Sequence, residues 1–208
     1  MRVNRGVTIS GMALAISLAL AGTSGAQTAP VAGPLPPTPV PPTPSIEQRL
    51  ADQERRIGSG LQDGSLTSGE AARLQREESR LNREWARDKA DGTISPQERA
   101  KMERDLNRAS RDIYRERHDA QRANPNNPIN QRLGNQADRI ANGIQDGSLT
   151  KREAARLERQ QGTLARAEHQ ARAEHRGKLT KEQRAKLRRG LNRSSRKISR
   201  EKHDAQTR

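Results

Sequence analysis

The chain contains the same run of residues twice, and this duplication constrains its fold more than any other feature. Ile46-Glu-Gln-Arg-Leu50 returns as Ile129-Asn-Gln-Arg-Leu133, and Gln62-Asp-Gly-Ser-Leu-Thr67 as Gln145-Asp-Gly-Ser-Leu-Thr150. Leu106-Asn-Arg returns as Leu191-Asn-Arg, and His118-Asp-Ala-Gln as His203-Asp-Ala-Gln. The offset is 83 residues early and 85 late, so copy two carries two extra residues in its middle. Repeated units of this kind bury their apolar faces against one another. Copy one spans residues 46–122 and copy two 129–208, and the break at 123–128 holds the turn-rich Asn124-Pro-Asn-Asn-Pro128.

Apolar residues inside each copy fall about one per helical turn. Copy one shows Ile46, Leu50, Ile57 and Leu61, then Ala71, Leu74, Leu81 and Trp85, then Met102, Leu106, Ala109 and Ile113. Copy two shows Ile129, Leu133, Ile140 and Ile144, then Leu157 and Leu164, then Leu187, Leu191 and Ile198. Narrow stripes at this spacing are amphipathic helices. The expectation is an all-α chain of two tandem three-helix units, each a slim antiparallel bundle. Core material is scarce, since Trp85 and Tyr114 are the only aromatics. Units of this size have marginal cores, so copy-to-copy packing or self-association is expected to help.

Residues 1–26 have the layout of a secretory signal. Arg2 and Arg5 precede an apolar run from Val7 to Ala21, and Ser24-Gly25-Ala26 supplies small residues before Gln27. That run is roughly 15 residues, short of the about 20 needed to span a bilayer. Residues 27–45 contain eight prolines and no charge, the composition of a semi-rigid spacer. The leader places the protein in the periplasm or outside the cell. No cysteine is present, so no disulfide can form.

The junctions between helices share one pattern: Asp63-Gly-Ser-Leu-Thr-Ser-Gly-Glu70, Asp91-Gly-Thr-Ile-Ser-Pro-Gln-Glu98 and Asp146-Gly-Ser-Leu-Thr-Lys-Arg-Glu153. The fourth, Arg176-Gly-Lys-Leu-Thr-Lys-Glu-Gln183, has lost both acids. The pattern resembles the second half of an EF-hand calcium loop, which would make Asp63, Glu70, Asp146 and Glu153 the metal ligands. The first half is missing, however: Leu61 and Ile144 fall where oxygen donors belong. A helix-capping reading uses every residue. Gly64, Gly92, Gly147 and Gly177 end one helix in the left-handed conformation. Thr67, Ser95 and Thr150 then cap the next, with Glu70, Glu98 and Glu153 closing a capping box. Calcium is therefore the secondary reading and no cofactor the primary one.

Charge is unevenly divided. Residues 46–122 hold 17 basic and 16 acidic side chains, whereas 129–208 hold 21 and 9. Most of the surplus lies in the last helix, where Lys181, Arg184, Arg188, Arg189, Arg193, Arg196, Lys197 and Arg200 form a dense basic face. Such a face is the electrostatic footprint of a polyanion binder. The absence of aromatics for base stacking argues against sequence-specific reading of nucleic acid. For an exported chain, the expected partners are anionic envelope glycans or lipid headgroups. No Ser-His-Asp, paired-carboxylate or phosphate-loop arrangement is present, so the expectation is an interaction protein and not an enzyme. The Gly-x-Leu-Thr-x-x-Glu-Ala and Lys-His-Asp motifs are similar to small exported bacterial helical-repeat proteins with degenerate EF-hand-like loops. That resemblance implies an envelope-side setting and carries no activity with it.

Overall fold

The computed structural model describes residues 43–204. The leader 1–26 and nearly all of the Pro-rich stretch therefore lie outside the described residues. Six helices follow in order: α1 Ile46–Asp63, α2 Ser68–Asp88, α3 Pro96–His118, α4 Pro128–Gln145, α5 Lys151–Glu174 and α6 Lys181–His203. Among the described residues there is no strand. Each helix boundary has a local chemical cause. Ser45, Thr67, Ser95, Thr150 and Thr180 accept from the backbone N–H three residues on, and the Gln or Glu there accepts from the cap N–H in return. The fourth junction keeps its box despite losing its acid, because the Gln183 amide oxygen accepts as well as a carboxylate would. Pro96 and Pro128 open α3 and α4, where a missing N–H costs nothing.

The left-handed turns occur where glycine was expected, with φ of 77° at Gly64, 83° at Gly92, 71° at Gly147 and 84° at Gly177. After two of them a leucine folds back on the helix just completed. Leu66 N–H donates to the Gly60 carbonyl at 2.8 Å, and Leu149 N–H to that of Gly143 at 2.9 Å. Both leucines are buried.

The copy-to-copy packing expected to help two marginal units is extensive. The described residues 43–204 fall within one compact unit, and its most extensive helix pairings join the two copies, α1 with α4 and α2 with α5. These four helices make the centre. Helix α3 lies on α1 and α2, and α6 on α4 and α5. Both apolar clusters mix the copies: Ile46, Leu50, Trp85 and Leu106 pack with Ile140, Ile144 and Leu157, while Ile57, Leu61 and Ile113 pack with Ile129, Leu133 and Leu191.

The physical reason lies in small residues that carry no amphipathic signal. A Cβ on Gly134 would sit 2.7 Å from the Gly58 carbonyl oxygen, so α1 and α4 meet backbone to backbone. On the other pair, Ala71, Ala72, Ala154 and Ala155 are buried, and a Cβ on Gly162 would lie 3.2 Å from the Ala72 carbonyl. Neither copy can fill this centre by itself. The third helices are then tied down by matching side chains. Gln53 donates to the Leu106 carbonyl and Gln136 to that of Leu191, while Arg56 grips Ser110 and Arg139 grips Ser195.

Candidate polyanion-binding face

Leu187, Leu191 and Ile198 turn inward and are buried, which fixes the rotation of α6. Lys181, Arg184, Arg188, Arg189, Arg193, Arg196 and Arg200 are consequently exposed, and Lys197 is half-buried. None of the eight forms an ion pair with a described residue; Lys202 of the same helix does, with Asp146 at 3.3 Å. Unpaired cations crowded on one helix face repel each other, and an anion relieves that repulsion.

The structure extends this face onto elements whose role the sequence did not reveal. Arg80, Arg83 and Arg87 of α2 meet Arg152, Arg156 and Arg159 of α5 around an open cleft of about 640 Å3 floored by Ala155. Each trio recurs at helical three- and four-residue spacing, so each lies along one helix face. Only the antiparallel α2–α5 pairing merges them. Ion pairing at the cleft is weak: Arg80 lies 3.9 Å from Glu77, and Arg156 lies 3.9 Å from Glu153 and 3.7 Å from Glu201.

Arg156 and Arg159 also line a hollow of about 400 Å3 with Lys197, and Lys197 lines another of about 560 Å3 with Arg193, Arg196 and Arg200. A fourth, of about 580 Å3, runs between α5 and α6 with Arg189 and Arg193 on its rim. One side of the molecule thus carries bases from α2, α5 and α6. Lys181, Arg184 and Arg188 line none of these four hollows.

The four candidate metal ligands are placed differently. Asp63 accepts from the Ser65 N–H at 2.8 Å and pairs with Arg117 at 2.8 Å. Partial burial pushes its carboxyl up, but the Ser65 and Arg117 contacts outweigh that and hold it below its usual value. Asp146 does the same with Ser148 and Lys202. Glu70 and Glu153 are buried in their capping boxes, accepting from the Thr67 and Thr150 N–H groups at 2.8 Å each. Glu70 is brought near Glu116 and Asp119, and Glu153 near Glu201 and Asp204. Burial raises the Glu70 carboxyl, its contacts with Thr67 offset part of that, and Asp119 and Glu116 add to the rise. Arg73 pairs with Glu116 at 2.8 Å, so the charge of that group is partly answered within the protein.

The inward faces of the same helices hold charge that the sequence reading missed altogether. Glu54, Glu78 and Glu158 are essentially without solvent exposure. Burial drives all three carboxyls upward, Glu158 to about 8, and their mutual repulsion adds to the rise at Glu54 and Glu78. Gln75 donates to Glu54 at 3.0 Å and Asn82 to Glu158 at 2.8 Å. One oxygen on each acid has no hydrogen-bond partner among the described residues. Such a centre is stable when the acids keep their protons.

Fold and surface together define a duplicated all-helical bundle with one arginine-rich side and a core containing three buried carboxyl groups. No family model, curated protein or solved structure matches the chain. None of the described helices is long and apolar enough to cross a membrane.

Proposed function

We propose that the chain is an exported, non-enzymatic interaction protein whose arginine-rich side takes up an anionic polymer or lipid surface of the bacterial envelope. The observation that carries this reading is the continuity of weakly paired and unpaired bases from the α2–α5 cleft onto α6. Arginine suits the task because its planar fork meets phosphate or carboxylate oxygens in pairs. Removal of residues 1–26 and export across the inner membrane belong to the proposal, as does a spacer role for residues 27–45. Calcium binding at Asp63, Glu70, Asp146 and Glu153 has less support, because those carboxylates already serve turns, ion pairs and helix caps.

Titration with linear polyphosphate at increasing salt tests the reading. Release of counterions from about six neutralised phosphates should weaken binding about a thousandfold between roughly 50 and 200 mM salt. Arg83→Ala with Arg152→Ala should weaken binding and flatten that salt dependence. Binding indifferent to salt, or unchanged in the double variant, would overturn the proposal.

A further inference from the structure

Counting back 83 residues before the insertion and 85 after it pairs the walls of the α5–α6 groove with a site in copy one. Ala167 answers to Glu84, Gly190 to Asp105, Lys186 to Lys101 and Arg193 to Arg108. In copy one the acids neutralise the bases: Lys101 contacts Glu84 and lies 2.9 Å from Asp105, and Arg108 lies 3.7 Å from Asp105. Copy two keeps both bases and replaces both acids with the two smallest residues. Leu81 of copy one is fully buried, whereas its counterpart Leu164 is only partly covered and leans into the space over Gly190, where a Cβ would meet its Cδ2 at 2.6 Å.

The same two replacements therefore uncover an apolar floor and leave the α6 rim positive, Glu174 at the end of α5 being the one acid in the lining and accepting from Gln183 at 3.4 Å. The floor is formed by Leu164, Ala167, Ala171 and Leu187, and Lys186, Arg189 and Arg193 stand on the α6 rim with no ion-pair partner among the described residues. A phosphate polymer would satisfy the rim and leave the floor in contact with water. An apolar chain alone would satisfy the floor and not the rim. Shape narrows the choice further. The lined stretch of α5, residues 160–174, is about 20 Å long at 1.5 Å per residue. A narrow open strip of that length suits one extended chain lying along the floor with its charged end at the basic rim.

We propose that the α5–α6 groove binds a single anionic amphiphile, with its acyl chain along Leu164, Ala167, Ala171 and Leu187 and its phosphate headgroup held by Lys186, Arg189 and Arg193. This rests on the polyanion reading only in sharing the basic side, and it commits to a lipid as the source of the phosphate. Each methylene taken into the groove adds about fourfold in affinity, so chain length decides affinity.

The test is isothermal titration of the protein with dodecyl phosphate below its micelle concentration, with butyl phosphate and with polyphosphate. Dodecyl phosphate should bind at least a hundredfold more tightly than butyl phosphate. Ala167→Glu with Gly190→Asp, which restores the acids of copy one, should remove most of that preference, while polyphosphate, which also has the α2–α5 cleft, loses far less affinity than dodecyl phosphate does. Ala167 is exposed and Gly190 is half-buried against a flexible leucine tip, and an unchanged circular dichroism melt confirms that the variant folds. Equal affinity for the two alkyl phosphates overturns the proposal, as does an unaltered preference in the variant. Concentration-dependent dimerisation abolished by the same substitutions would also overturn it, by assigning the groove to a second copy of the chain. Failure of the unsubstituted protein to bind polyphosphate, with its chain-length preference present, would support the amphiphile site and count against the polymer reading alone.

Discussion

Glu158→Gln should stabilise the protein at alkaline pH and leave it nearly unchanged in mild acid. The folded state raises the Glu158 carboxyl from 4.5 to about 8, and each unit is worth about 1.36 kcal/mol. Because the folded value is the higher one, the folded protein keeps its proton at a pH where the unfolded chain has lost it. Stability from this group is complete below about 4.5, falls as pH rises and levels off above about 8, a loss of about 5 kcal/mol in all. Glutamine cannot ionise, and its carbonyl oxygen can still accept from Asn82, which lies 2.8 Å from the present carboxylate. Urea unfolding followed by far-UV circular dichroism at pH 5 and pH 8.5 measures the effect. The variant's advantage should grow by about 4 kcal/mol between the two conditions. Glu54 and Glu78 remain in the variant and are displaced in the same direction, so it keeps a residual alkaline decline. An advantage that is the same at both pH values would show that Glu158 is ionised in the folded core, and the account of a neutral acid centre would be wrong.

Three further outcomes follow from the fold. Thr67→Ala should cost about 1 kcal/mol through loss of the α2 cap, measured equally with chelator or excess calcium; a cost seen only with calcium would restore an ion to that loop. Gly134→Val should destabilise by about 3 kcal/mol or more, since even a Cβ there would lie 2.7 Å from the Gly58 carbonyl. A wild-type urea midpoint for Gly134→Val would contradict the backbone contact between α1 and α4. Leu106→Ala, in a cluster containing residues of both copies, should cost about 2–5 kcal/mol and shift a single transition; two separated transitions would mean that the copies unfold independently.

The helices were legible in the sequence because their signals are local. The caps at Thr67, Ser95 and Thr150 are settled by residues three apart, and of the apolar stripe only Leu164 is not buried. The partners of the helices were not legible. Ala72 and Ala155 look neutral in any amphipathic count, and Gly58 and Gly134 resemble helix defects until the helix that needs their smallness is in place. Glu54, Glu78 and Glu158 look like surface acids, since burial of a carboxyl is a property of its neighbours and not of its own residue type. For the site, the bases of α6 were visible as a run. The trios on α2 and α5 were visible as spacings, but only the crossing of the two copies turns them into one cleft.

That crossing bears on how the two halves came to differ. The pairing of α1 with α4 and of α2 with α5 has the self-complementary form of a two-fold dimer interface, residue i meeting j and j meeting i. If each copy were a separate chain of such a dimer, any base added to one half would appear on both. Joining them through residues 119–127 releases the halves from that constraint. One half can then hold the shared scaffold near neutrality while the other gathers charge and opens its groove, giving the molecule a front and a back that no symmetric pair of identical chains could have.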